Sequence, residues 1–149
     1  MIRPFQGQDL VRLYQLDQAC FPQGVAYSRA ELQYFLTHPR CSCWIAEQPD
    51  SKLAGFVILE RATRNGRSAG HIITLDVDPA DRRHGLGTLL MQTAEVQMKQ
   101  EGAAVISLEV AENNAAARQF YRGLGFICRG KIAKYYGGRI DAEVMEKAI

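Results

Sequence analysis

The segment Arg82-Arg83-His84-Gly85-Leu86-Gly87-Thr88 constrains the fold of this chain more than any other. It stands between a β-rich run, His71 to Val77, and a helical pattern from Gly87 to Glu101 whose inner face holds Leu86, Leu90, Ala94 and Met98. A glycine turn leading from strand to helix lets the backbone approach a ligand and points its amides at one place. The start of the helix adds unpaired N–H groups and the positive end of the helix dipole, so an anion is favoured there. Arg82 and Arg83 bring fixed positive charge suited to phosphates. Together these features predict a pyrophosphate site. Two common nucleotide turns fit less well. A dinucleotide fingerprint needs a third glycine where Leu90 stands, and Gly87-Thr88-Leu89 lacks the lysine of a Walker loop.

The rest of the chain alternates between the two periodicities. Ile2 to Phe5 reads as a short strand, and Asp9 to Cys20 as a helix with Leu10, Leu13 and Leu16 at helical spacing. Phe21-Pro22-Gln23-Gly24 breaks that helix. Ser28 and Glu31 form a capping box for a second short helix ending near His38-Pro39. Cys41 to Glu47 and Leu53 to Glu60 predict an antiparallel hairpin across Gln48-Pro49-Asp50-Ser51, and Arg64-Asn65-Gly66-Arg67 predicts a further turn. Val105 to Val110 is a buried strand and Ala115 to Arg122 a helix stopped by Gly123 and Gly125. Phe126 to Tyr136 and Ile140 to Lys147 close the chain as two strands around Gly137-Gly138. The order predicts an α/β (α+β) fold built on one mixed sheet.

Composition narrows the function classes. At 149 residues the chain suits a single domain, and no repeat or linker divides it. A net charge of +2 without an aromatic-plus-basic patch argues against nucleic acid. No run approaches the roughly 18 apolar residues of a membrane span, and Met1-Ile2-Arg3-Pro4 lacks the apolar core of a secretory signal, so a cytoplasmic protein without a membrane role is expected. Cys41 and Cys43 alternate within an apolar run and read as small hydrophobes on one strand face; their spacing is too tight for the usual zinc pair, so no metal is expected.

Arg82-x-x-Gly85-x-Gly87 matches the Q/R-x-x-G-x-G/A motif of the Gcn5-related N-acetyltransferase (GNAT) superfamily. Leu75-Asp76-Val77-Asp78-Pro79 resembles that family's strand running into the motif. The block Leu108-Glu109-Val110…Asn114…Tyr121…Gly125-Phe126 resembles the ribosomal-protein alanine N-acetyltransferases (RimI-like) and archaeal N-terminal acetyltransferases. Phe21-Pro22…Tyr27-Ser28 is similar to a peptide-binding loop of N-terminal acetyltransferases, with a longer insert between proline and tyrosine.

The resemblance implies one GNAT-like domain over residues 1–149, with a twisted, mostly antiparallel sheet of about seven strands flanked by about four helices. It implies acetyl transfer from acetyl-CoA to a primary amine, most simply a protein N-terminus such as that of a ribosomal protein, by a monomer or homodimer. The pyrophosphate would meet Arg82, Arg83, His84, Gly85, Leu86, Gly87 and Thr88. Leu75, Asp76 and Val77 would pair with the amide-bearing pantetheine arm as a neighbouring strand does. Phe21, Pro22, Tyr27, Tyr135 and Tyr136 would hold the acceptor. Transfer to lysine side chains or small amines, and a non-catalytic acetyl-CoA-binding module, are the alternatives.

The transfer needs a base for the amine and an acid for the departing thiolate. Glu109 alternates with Ser107 on one strand face while Ile106 and Leu108 take the other, and a carboxylate within a buried strand is costly without a partner or a use. It is the expected base, the competing reading being a salt-bridged strand glutamate. Asn114, Ala117 and Tyr121 share a helix face. Asn114 and Ala117 are expected beside the cofactor arm and Tyr121 as the acid, although Asn114 also suits a helix N-cap and Tyr121 also suits core packing. His71, at a strand start, and His84, in the turn, are weaker base candidates.

Overall fold

A computed structural model describes residues 1–149. The elements are β1 (Ile2–Pro4), α1 (Leu10–Cys20), α2 (Arg29–Thr37), β2 (Cys41–Glu47), β3 (Leu53–Arg64), β4 (Arg67–Val77), α3 (Leu86–Gln100), β5 (Val105–Ala111), α4 (Ala115–Gly123), β6 (Ile127–Tyr136) and β7 (Ile140–Ala148). The strands form one sheet in the order β1-β2-β3-β4-β5-β7-β6. All neighbours are antiparallel except β4 and β5. This is the expected mixed, seven-stranded α/β architecture with four helices. No helix is long and apolar enough to cross a membrane.

Most predicted boundaries lie within a residue or two of those observed. The main exception is the β3–β4 hairpin, which is longer at both arms and reverses at Asn65-Gly66, both at positive φ. His71 therefore lies in mid-strand rather than at a strand start. A short 3-10 turn, Pro79–Asp81, also separates β4 from the glycine turn, which does not follow the strand directly. The Ser28 capping box forms as expected: Glu31 N–H donates to Ser28 Oγ at 3.1 Å, and Ser28 N–H to Glu31 Oε1 at 3.0 Å.

The sheet is apolar on both faces. Phe56 and Ile58 of β3 point to one side, where Leu13 and Leu16 of α1 and Leu32 of α2 cover them. Val57 and Leu59 point to the other, against Leu90, Ala94 and Met98 of α3. Each of the buried Phe, Leu, Ile, Val and Met side chains here contributes about 1.5–3 kcal/mol relative to exposure. The alternation explains why β3 is buried from Leu53 to Leu59 while its distal arm is not. Gly55 is needed in this central strand because a Cβ there would stand 2.6 Å from the Asp76 carbonyl oxygen.

One irregularity shapes the centre of the molecule. Ile58 pairs with Thr74 and Leu59 with Ile72, so Ile73 is an extra residue in β4. A bulge of this kind bends the strand that carries it. The bent β4 pairs with β5 only at Gly70–Ile106, His71–Ser107 and Ile72–Leu108. Beyond that point the strands part, and Leu75–Val77 leave one edge unpaired.

Candidate active site

The parting of β4 and β5 gathers most of the residues singled out from sequence. Glu109 lies on β5 just past the last paired position, its side chain half-buried. His71 Nε2 stands 3.0 and 3.1 Å from the two Glu109 carboxylate oxygens. The Tyr135 hydroxyl donates to Glu109 Oε1 at 3.1 Å. Burial alone raises a carboxyl group's pKa, but the His71 hydrogen bond and charge, with the Tyr135 hydrogen bond, outweigh it and hold Glu109 below its usual range. For His71, burial works against the charged ring, yet the Glu109 contact and the charges of Glu109 and Glu60 raise its pKa above the ordinary value. Glu60 Oε1 lies 3.8 Å from His71 Nδ1. The imidazole thus bridges two carboxylates, and His71, weaker than Glu109 on sequence grounds, belongs beside it.

Tyr121 is buried in α4, its ring held edge-to-face by Phe120 and Phe126. Burial, with the Asp76 charge, raises its pKa far above neutrality, so the phenol keeps its proton. The helix that carries it is fixed at both ends. Asn114 Oδ1 accepts from Ala117 N–H at 3.1 Å, so its oxygen caps α4 while its NH₂ makes no hydrogen bond within the chain. Further along, Arg118 and Arg122 reach the buried Glu143 carboxylate of β7 at 2.7 and 3.4 Å.

In the glycine turn, none of the amides from Arg83 to Thr88 donates to a backbone carbonyl, and the first such bond is Leu89 N–H to Gly85 O. Gly85 caps α3 at φ 81° with nothing within 4 Å of where a Cβ would stand, and Arg83 has a left-handed φ of 66°. Consecutive free amides around such residues form an anion-binding concavity. Arg82 Nε donates to the Val77 carbonyl at 3.0 Å and ties the turn to β4, while its NH₂ groups make no other hydrogen bond. His84 Nδ1 lies 3.2 Å from the Asp81 carbonyl oxygen, on the exposed side of the turn.

The two segments expected to hold an acceptor also meet. Tyr27 OH donates to the carbonyl of the bulge residue Ile73 at 3.3 Å. Gly24 lies against Gly137, whose Cβ would stand 3.4 Å from the Gly24 Cα. The loop carrying Phe21, Pro22 and Tyr27 therefore touches the β6–β7 turn beside Tyr135 and Tyr136, whose rings pack edge-to-face at 4.9 Å. Hollows of about 310 and 490 Å³ open elsewhere, and neither is lined by these residues.

Cys41 has neighbours that its sequence spacing does not reveal: its thiol and the side chains of His38 and Glu60 place ligand atoms within 4.8 Å of one another. Burial and the Glu60 charge raise the thiol to about 11, and His38 Nδ1 accepts from Arg40 N–H at 3.1 Å. Both features work against a thiolate–imidazole metal site.

A sequence profile of the acetyltransferase (GNAT) family matches residues 10–126. The N-terminal acetyltransferase complex ARD1 subunit homolog of Dictyostelium discoideum is 34% identical over 97% of this chain and 70% of its own length. The ribosomal-protein-S18-alanine N-acetyltransferase from Escherichia coli superposes with a TM-score of 0.85 at 26% identity, covering 100% of this chain and 93% of the other. A chain of the NatC complex bound to Gag peptide and CoA superposes with a TM-score of 0.84 at 25% identity, covering 100% and 98%.

Proposed function

The chain belongs to the acetyltransferase (GNAT) family, and from that premise we propose that it transfers the acetyl group of acetyl-CoA to the α-amine of a protein or peptide N-terminus, with Glu109 as base and Tyr121 as acid. The observation that carries this reading is the convergence of His71 and Tyr135 on Glu109, next to the unpaired edge of β4. The free amides of Arg83 to Thr88 would take the pyrophosphate, and the open edge at Leu75–Val77 the amides of the pantetheine arm. The Asn114 NH₂ and the small Ala117 would border that arm. Phe21, Pro22, Tyr27, Tyr135 and Tyr136 would receive the acceptor.

The protonation states fit this division of labour. An α-amine, with an ordinary pKa of about 8, offers far more neutral nitrogen near pH 7 than lysine at about 10.4. A carboxylate held anionic by His71 is a weak base toward a free ammonium ion. It suffices for the attacking nitrogen, whose N–H becomes strongly acidic as the bond to the carbonyl carbon forms. Glu109 takes that proton. As the carbon–sulfur bond breaks, Tyr121 gives its proton to the leaving sulfur; Glu109 then releases the proton it took to water, and Tyr121 regains one from water, so both groups return to their starting states.

Incubation with acetyl-CoA and short peptides beginning Ala, Ser or Met, followed by thiol release, tests the reading. Turnover is expected on these free N-termini. Turnover confined to acetyl-blocked peptides with an internal lysine, or to small amines, would overturn it. Tight acetyl-CoA binding without turnover on any amine would make the chain a binding module.

A further inference from the structure

Two buried carboxyl groups lie outside the chemistry described so far. Asp17, on the inner side of α1, and Asp76, on β4, are 0% and 1% exposed. They lie close enough to share a hydrogen bond once one carries a proton. Each has one oxygen already engaged: Asp17 Oδ2 accepts from Tyr27 N–H at 2.7 Å, and Asp76 Oδ1 from Thr74 Oγ1 at 2.6 Å. The other oxygens, Asp17 Oδ1 and Asp76 Oδ2, have no donor. Buried oxygens are almost always satisfied, and two carboxylates in contact repel each other strongly away from water. A single proton held between the two groups resolves both problems.

The pair also occupies a particular place. Asp17 reaches the loop after α1 through Tyr27, and Asp76 lies between Leu75 and Val77. Two further bonds cross the same seam: Tyr27 OH to the Ile73 carbonyl, and Cys20 Sγ to the Val77 carbonyl at 3.4 Å.

We propose that Asp17 and Asp76 form a proton-sharing carboxyl pair that positions the acceptor loop, residues 21–27, against the β4 edge, and that loss of the shared proton loosens this loop. The inference rests on the reading of residues 21–27 as the acceptor loop. The pair touches neither amine nor thioester, so these are positioning residues. The groups facing it are Cys20 on α1, Tyr27 in the loop, Glu31 on α2, Cys43 on β2, Arg82 beyond β4 and Tyr121 on α4. Of these only Arg82 is cationic, and its Nε is committed to the Val77 carbonyl. Burial and the neighbouring carboxyl hold Asp76 protonated well above the usual range. A group raised on folding stabilises the folded arrangement at low pH and loses that effect as pH rises through its folded value.

The experiment compares wild type, Asp76→Asn and Asp76→Leu from mildly acidic to alkaline pH. It follows the peptide KM, kcat, acetyl-CoA affinity by titration calorimetry, and Tyr27 amide hydrogen exchange by NMR. In the wild type the peptide KM is expected to rise about tenfold at the alkaline end, and Tyr27 protection to fall with it, at constant acetyl-CoA affinity. Asp76→Asn carries a permanent N–H donor toward Asp17 and is expected to abolish both changes. Asp76→Leu leaves Asp17 alone and, if it folds, should show a raised KM at every pH. An Asp76→Asn protein with the wild-type alkaline changes would overturn the proposal, as would acetyl-CoA affinity falling in step with the peptide KM. Absence of turnover on N-terminal peptides would instead defeat the functional reading; Tyr27 exchange then still decides whether the carboxyl pair clamps the loop.

Discussion

Replacing Gly85 separates the two roles that its position combines. Its φ of 81° lies in the left-handed region, and a Cβ there would meet nothing within 4 Å. Loss of stability on substitution therefore comes from backbone conformation alone. Ala or Val in that region costs about 1–2 kcal/mol, and Asn, which tolerates it, distinctly less. In a chain of this size that lowers Tm by about 2–8 °C for Val and by at most a few degrees for Asn. The effect on cofactor binding is set by something else. Gly85 stands in the middle of the run of free amides from Arg83 to Thr88, and if that run holds a pyrophosphate, a side chain in the open space at Gly85 would compete with it. Losing two charge-assisted hydrogen bonds at about 1.5–3 kcal/mol each weakens binding by about 10² to 10⁴-fold. Thermal unfolding without ligand, paired with calorimetric titration of CoA, reads the two effects independently. Gly85→Asn is expected to be nearly as stable as wild type yet to bind CoA at least about a hundredfold more weakly. A stable Gly85→Asn protein with unchanged CoA affinity would remove the turn from the cofactor site and refute the reasoning.

Other expectations follow from the same geometry. Glu109→Gln and Tyr121→Phe should each lower kcat by about 10²–10³-fold in steady-state assays while acetyl-CoA affinity, measured by calorimetry, stays put. The His71–Glu109 pair should stabilise the fold most in mildly acidic solution. The Glu109 contribution is present above its ordinary value of 4.5 and is lost as pH falls through its lowered folded value. The His71 contribution is complete below 6.5 and is lost as pH rises through its raised folded value. The Tm difference between wild type and His71→Gln should therefore peak between these limits and shrink toward alkaline pH; a difference that grows with pH would contradict the assignment.

Much of this arrangement is written locally. The glycine turn, the Ser28 capping box and the alternation of Val105 to Val110 each depend on residues a few positions apart, and local sterics and hydrogen bonding decide them. The site's interior depends on register. His71 meets Glu109 because β4 and β5 run parallel with His71 opposite Ser107, a pairing that no local pattern encodes. The bulge at Ile73 is equally silent, since Ile58 to Leu59 and Ile72 to Thr74 look like ordinary strand sequence. Asp17 and Asp76 are far apart in sequence, and no local pattern brings their carboxyl groups together. Arg82 adds a contact that the motif does not encode: its Nε donates to the Val77 carbonyl, which leaves its NH₂ groups and its charge on the turn.

The short ladder between β4 and β5 has a consequence for how the protein depends on its surroundings. The two halves of the sheet share only the pairs from Gly70–Ile106 to Ile72–Leu108, and the edge beyond is left for another amide-bearing chain. A cosubstrate lying along that edge is then also a rung of the sheet. Ligand present at about a hundred times its Kd adds about 2.7 kcal/mol to the stability of the folded state that binds it. Against a typical total of about 5–15 kcal/mol, that share is large. The resistance of this protein to unfolding and proteolysis should therefore follow the acetyl-CoA supply of the compartment it works in, so that its persistence, as well as its turnover, reports on acetyl-CoA.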